Sequence, residues 1–165
     1  MKTAVFIDGA NTYLATRHLY DIDWKVFRKY YQHRTNQMVH LLYYSAILTV
    51  DGQATILPLL DWLSYNGYTV VHKPAKVFNN GGIQKVKGDM DIEIAVDIVK
   101  YSYFVDHIVL YTGDGDFVPA VKAAQDRGVF VTVVSTMNVV ADELRRAAND
   151  FADLRDLQQE FLRAS

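Results

Sequence analysis

The chain has 165 residues, 50% of them apolar and 22% charged, which suits one domain with a full core and excludes disordered, collagen-like and low-complexity classes. Lys plus Arg number 17 against 19 Asp plus Glu, a net charge of −2, so no global positive field advertises nucleic acid. The absence of cysteine excludes disulfide scaffolds, zinc ribbons, thiol nucleophiles and iron–sulfur clusters together.

The predicted elements alternate between short β-rich runs and longer helical patterns. A strand over 4–7 follows Met1-Lys2-Thr3 and ends at Asp8, too short an apolar stretch for a signal peptide. Helical spacing covers 11–20 and 24–32, and a strand covers 39–47. The most apolar internal run, 41–50, is interrupted by Tyr43, Tyr44, Ser45 and Thr49 and reaches about half the ~20 residues needed to cross a bilayer. The expectation is a soluble, cytoplasmic protein. A helix over 54–66 ends before Gly67, and a strand covers 69–72. Residues 77–83, Val-Phe-Asn-Asn-Gly-Gly-Ile, read as a small hairpin or flap. Beyond it come a helix over 90–104, a strand over 107–111, a helix over 117–127 ending at Gly128, and a strand over 130–134. A last helical stretch spans 139–162 with a break near Asn149; its apolar stripe either packs on the sheet or makes a homodimer contact. No repeat or linker interrupts residues 1–165, so the expectation is a single three-layer α/β domain with a mainly parallel central sheet flanked by helices.

Ligands bind such sheets beyond the carboxyl ends of the strands, near a switch in strand order. The residues just after each strand are therefore the informative ones. Asp8-Gly9-Ala10-Asn11 follows the first strand; Asp8 or Asn11 there is a helix N-cap or a ligand beside an approachable backbone. Thr112-Gly113-Asp114-Gly115-Asp116-Phe117 follows the fourth, and two carboxylates within three residues exceed what capping requires. Carboxylates gathered at one sheet edge repel unless a cation lies between them, and hard divalent cations favour oxygen ligands.

Gly88-Asp89-Met90-Asp91-Ile92-Glu93 opens a helix. At 100° per residue, Ile92, Ile94, Ala95, Val96, Ile98, Val99, Tyr101 and Ser102 form one broad apolar arc that contains Asp91. A carboxylate turned towards the core needs a partner, so Asp91 is favoured over Asp89 as a functional acid. Glu93 reads as surface, and Asp97 as ambiguous. Lys73, Lys76, Lys85 and Lys87 lie in 73–88 with no acid among them. An acidic metal centre beside a basic flap suits a phosphodiester, with lysines such as Lys85 and Lys87 holding the backbone.

The opening Val5-Phe6-Ile7-Asp8-Gly9-Ala10-Asn11 resembles the first strand of NYN domains, of the PIN-like nuclease superfamily. Lys87-Gly88 with Met90-Asp91 is similar to that family's second acidic block, and Tyr111-Thr112-Gly113-Asp114-Gly115-Asp116-Phe117 to its Ser-Gly-Asp-x-Asp-Phe signature. Leu144-Arg145-Arg146-Ala147-Ala148-Asn149-Asp150-Phe151 resembles its closing helix. The resemblance implies a Rossmann-like, PIN-like fold and Mg²⁺- or Mn²⁺-dependent cleavage of RNA. It passes metal-binding roles to Asp8, Asp91, Asp114 and Asp116, the last directly or through water. Asn11 joins the catalytic set in support, and Thr112 orients ligands or substrate. The alternatives are a non-catalytic RNA- or protein-binding module that keeps the acidic pocket, and a phosphohydrolase of small phosphate esters.

Overall fold

The computed structural model describes residues 1–35 and 39–162. β1 (Thr3–Asp8) is followed by α1 (Gly9–Thr16), α2 (Trp24–Thr35) and β2 (Val39–Ile47). Then come α3 (Leu57–Tyr65), β3 (Thr69–Pro74) and a hairpin of β4 (Lys76–Asn80) and β5 (Ile83–Lys87). After α4 (Asp91–Tyr101) and β6 (His107–Tyr111), a 3-10 turn (Gly115–Phe117) leads into α5 (Val118–Asp126) and β7 (Phe130–Ser135). α6 (Asp142–Ala147), β8 (Asp150–Asp153) and α7 (Gln158–Phe161) complete the order.

The central sheet has six strands in the order β3-β2-β1-β6-β7-β8, and every neighbouring pair is parallel. The chain builds outward from β1 through β2 to β3, then returns to place β6 on β1's other side. The switch point is therefore the junction of β1 and β6. β1 is buried throughout. Its alternation sends Ala4 and Phe6 into a core with Ile94, Ile98 and Val121 from α4 and α5, and Val5 and Ile7 into a second core with Phe27, Leu63 and Phe161 from α2, α3 and α7. Helices thus cover both faces, as expected for near-continuous apolar strands. No helix among the described residues is long and apolar enough to cross a membrane.

The β4–β5 hairpin forms where the sequence places a flap. Gly81 and Gly82 have φ of +62° and +82°, the paired positive values that a tight two-residue hairpin turn requires. All ten residues of its strands are exposed. Lys76 lies opposite Lys87 and Phe78 opposite Lys85, so these four side chains share one face of the ribbon.

Two expectations are corrected. Residues 150–153, predicted as helix, form the edge strand β8 beside β7. The spacing of Leu144, Ala147, Ala148 and Phe151 satisfies a helix, but Ala148 turns extended and Asn149 joins the edge of the sheet. Its amide donates to the Val131 carbonyl at 2.9 Å and its side-chain oxygen accepts the Val131 N–H at 2.9 Å. Leu144, Leu154 and Phe161 are buried against their own chain, so this part of the stripe packs inward. The apolar arc of α4 is also narrower than predicted: Ile94 and Ile98 are buried, whereas Ile92 and Val96 are 73% and 53% exposed.

Candidate metal centre

The loops after β1 and β6 and the start of α4 converge at the switch point. Asp91, Asp114 and Asp116 each offer a carboxylate oxygen there, and these oxygens lie within 4.8 Å of one another. Asp91 and Asp114 are half-buried and Asp116 is exposed. Each acid arrives by a different local device. Asp114 caps the 3-10 turn, accepting the Asp116 amide at 2.9 Å, which curls the second acid back over the first. Asp91 is the first residue of α4, its amide held by Asp89 Oδ1 at 3.3 Å.

Asp8 does not belong to that trio. Only 8% exposed, it caps α1 by accepting the Asn11 amide at 3.4 Å on Oδ1 and the Thr112 hydroxyl at 3.1 Å on Oδ2. Thr112 Oγ1 in turn accepts the Asp114 amide at 3.3 Å, and Asn11 Oδ1 accepts the Gly113 amide at 2.7 Å. These bonds lock the β1 and β6 loops into one piece. Gly113 has no room for a side chain: a Cβ there would meet the Val139 carbonyl oxygen at 2.8 Å and Ser135 Oγ at 3.0 Å.

The electrostatics are those of crowded anions. Burial, then the neighbouring Asp114, with Asp89 and Asp8 adding their charges, pushes the Asp91 carboxyl up to about 7. Burial also raises Asp8, with Asp114 and Asp89 adding to the rise and the Thr112 and Asn11 bonds opposing it. An all-oxygen donor set that is frustrated without a counter-charge fits a hard divalent cation.

Among the predicted substrate-binding residues, Thr112 is built into this network, while Lys85 and Lys87 stand on the exposed β5 strand. Other pairings fall outside the sequence reading. Glu93 is not a free surface acid: Lys73 Nζ reaches its Oε1 at 2.9 Å, and its Oε2 is buried. Asp97 accepts the Tyr44 hydroxyl at 2.7 Å. Ser135 Oγ is buried without a partner among the described residues, next to Gly113, and the Glu143 side chain lies against Gly115. The only sequence signal for Ser135 and Glu143 is position, at the end of β7 and in the helix that follows.

A parallel sheet with an acidic cluster at its switch point defines an α/β protein with a candidate cation site at the strand ends. Comparison with known proteins agrees with that class. The NYN domain family profile matches residues 2–155, and the chain belongs to the NYN domain family, within the PIN-like nuclease superfamily. The chain is 32% identical over 162 residues to LabA (low amplitude and bright protein) of Synechococcus elongatus, covering 95% of this chain and 86% of LabA. A segment is 39% identical over 61 residues to an uncharacterized protein of Methanocaldococcus jannaschii, covering 35% of this chain and 25% of that protein. The fold matches a crystal structure of a Vibrio parahaemolyticus protein of unknown function with a TM-score of 0.77 and 26% identity, over 98% of this chain and 96% of that one.

Proposed function

We propose that this chain is a ribonuclease that hydrolyses RNA phosphodiester bonds with a divalent cation, Mg²⁺ or Mn²⁺, at the β1–β6 junction. The observation that carries this reading is the approach of Asp91, Asp114 and Asp116 to within 4.8 Å, with Asp8 buried behind them. Capping accounts for Asp8 and Asp114 but leaves the approach of Asp91 and Asp116 to Asp114 unexplained. Asp91, Asp114 and Asp116 would hold the cation, and Asp8 would add charge to the same site. When bound, the ion supplies Lewis acidity toward the scissile phosphate and favours ionisation of the attacking water.

The chain's own residues do the rest. Asn11 and Thr112 hold the Gly113 and Asp114 amides, so the loop bearing Asp114 keeps its shape under the repulsion of its neighbours. The hairpin offers the backbone grip. Lys76, Lys85 and Lys87 surround a half-exposed Phe78 on one face, an arrangement that pairs phosphate contacts with a stacking surface.

The test is cleavage of a mixed-sequence single-stranded RNA by purified protein with Mn²⁺, with Mg²⁺ and with EDTA, beside Asp114→Asn. The expected result is metal-dependent cutting that disappears in the variant. RNA bound in EDTA but cut by neither protein would instead make the chain a binding module. Turnover of small phosphate esters without RNA cleavage would make it a phosphohydrolase.

A further inference from the structure

A second concavity lies one strand away from the acids. At the carboxyl ends of β1 and β2, on the face covered by α1 and α3, is a cavity of about 480 Å³. That volume falls within the roughly 300–1,000 Å³ of pockets that enclose drug-sized ligands. Its wall runs directly into the acidic centre: Gly9 follows Asp8 in the chain, and Gly88 precedes Asp89. The cavity lies at the ends of β1 and β2, and β1 is also the strand that borders β6 at the acidic centre.

Its lining is aromatic. Trp24 and Tyr43 meet edge to face with centroids 5.3 Å apart and both line the cavity. Tyr43 is 5% exposed, and its hydroxyl lies against Gly9 in the cavity wall. A tyrosine presents an apolar ring with a polar tip, so Tyr43 offers the cavity both a ring surface and a hydroxyl. Gly9 keeps that hydroxyl accessible, since a Cβ there would meet it at 2.8 Å. At the rim, Arg17 and Asp21 are in none of the ion pairs found among the described residues, so a donor group and an acceptor group stand ready to read a polar edge.

We propose that this cavity is a nucleobase subsite, taking one unstacked base of the RNA strand whose phosphate lies on the carboxylates. Aromatic walls, a hydroxyl and charged groups at the rim are the kinds of group by which proteins hold a splayed base. The link to RNA cleavage rests on the nuclease reading; the binding of a base does not.

The experiment uses uncharged ribonucleosides, which carry no phosphate for the acids or a metal to engage. The chain has 2 tryptophans, so Trp62→Phe leaves Trp24 as the only reporter. The four nucleosides are titrated in EDTA while Trp24 emission is followed, with free tryptophan as the inner-filter control. At least one should give a saturable change. Tyr43→Phe, which keeps the ring, should weaken it about fivefold, in the range of one lost hydrogen bond. Ser45→Phe, which fills the cavity wall, should weaken it at least tenfold by roughly one stacked base's contribution.

No response to any nucleoside, or a response that both variants leave unchanged, overturns the subsite. Should Ser45→Phe fail to fold, Tyr43→Phe decides alone. Metal-dependent RNA cleavage without nucleoside binding would leave the nuclease reading standing and this one fallen. Nucleoside binding without cleavage would do the reverse.

Discussion

Asn11 Oδ1 accepts the Gly113 amide at 2.7 Å, joining the loops after β1 and β6 across 102 residues of sequence. Asn11 is hydrogen-bonded to Gly113 and Asp8 rather than to the trio itself, yet its bond to Gly113 fixes the backbone from which Asp114 projects. Outer-shell residues of this kind typically cost 10–100-fold in metal affinity when removed. Asn11→Ala should therefore weaken Mn²⁺ binding by about that factor while the far-ultraviolet circular dichroism stays unchanged. Asn11→Asp, which keeps an acceptor, should recover part of the loss. Unchanged Mn²⁺ affinity in Asn11→Ala would separate the loop lock from the metal site.

The raised Asp91 carboxyl makes a prediction about the metal-free protein. Its ordinary value is 3.8 and its folded value about 7, so the folded state binds the proton more tightly than the unfolded chain. The stabilisation is fully present below the ordinary value and is lost as pH rises through about 7. In EDTA the melting temperature should fall between pH 5 and pH 8. Asp91→Asn should flatten most of that fall, leaving the smaller contribution of Asp8, which is raised in the same direction. A saturating divalent ion should also remove the fall, because it replaces the proton as counter-charge. A melting temperature that rises over this interval in EDTA would contradict the crowding of the carboxylates.

Much of this arrangement is legible in the residues. β1 and β6 read as strands because each carries a short apolar run, 4–7 and 108–111, and a parallel sheet then places Asp8 and Asp114 at its carboxyl edge. Gly81-Gly82 between alternating residues announces the hairpin. What escapes the sequence is pairing at long range. The Tyr44–Asp97 bond spans 53 residues and the Lys73–Glu93 pair 20, and neither side chain signals its partner. The cavity beside Tyr43 is invisible for the same reason, being assembled from α1, β2 and α3. Residues 150–153 mislead differently: a four-residue edge strand offers too few positions for a period of 2 to outweigh the helical spacing that precedes it.

The hairpin's basic face should govern RNA affinity without touching stability. Lys85 and Lys87 lie in a strand that is exposed throughout, and among the described residues neither forms an ion pair. Lys85→Gln with Lys87→Gln should weaken binding of single-stranded RNA across sequences and reduce the salt slope by about 1.4, at about 0.7 for each phosphate contact. Phe78→Ala should weaken binding with little change in that slope, since stacking releases few counterions. Filter binding across a salt series distinguishes the two. An unchanged slope in the double variant would remove the hairpin from the RNA path.

Asn149 is where the corrected edge of the sheet can be tested. Its side-chain oxygen accepts both the buried Val131 N–H at 2.9 Å and the Gln125 amide at 3.0 Å, tying α5, β7 and the entry to β8 together. Asn149→Leu suits a continuous helix but leaves the Val131 donor without its partner. An unsatisfied buried donor costs about 1–3 kcal/mol. The variant should therefore lose about that much in urea unfolding, with the slope of the transition unchanged. A helix running through 149 would make the same substitution neutral or stabilising, because leucine has the better helix propensity. The sign of the change decides between the two structures.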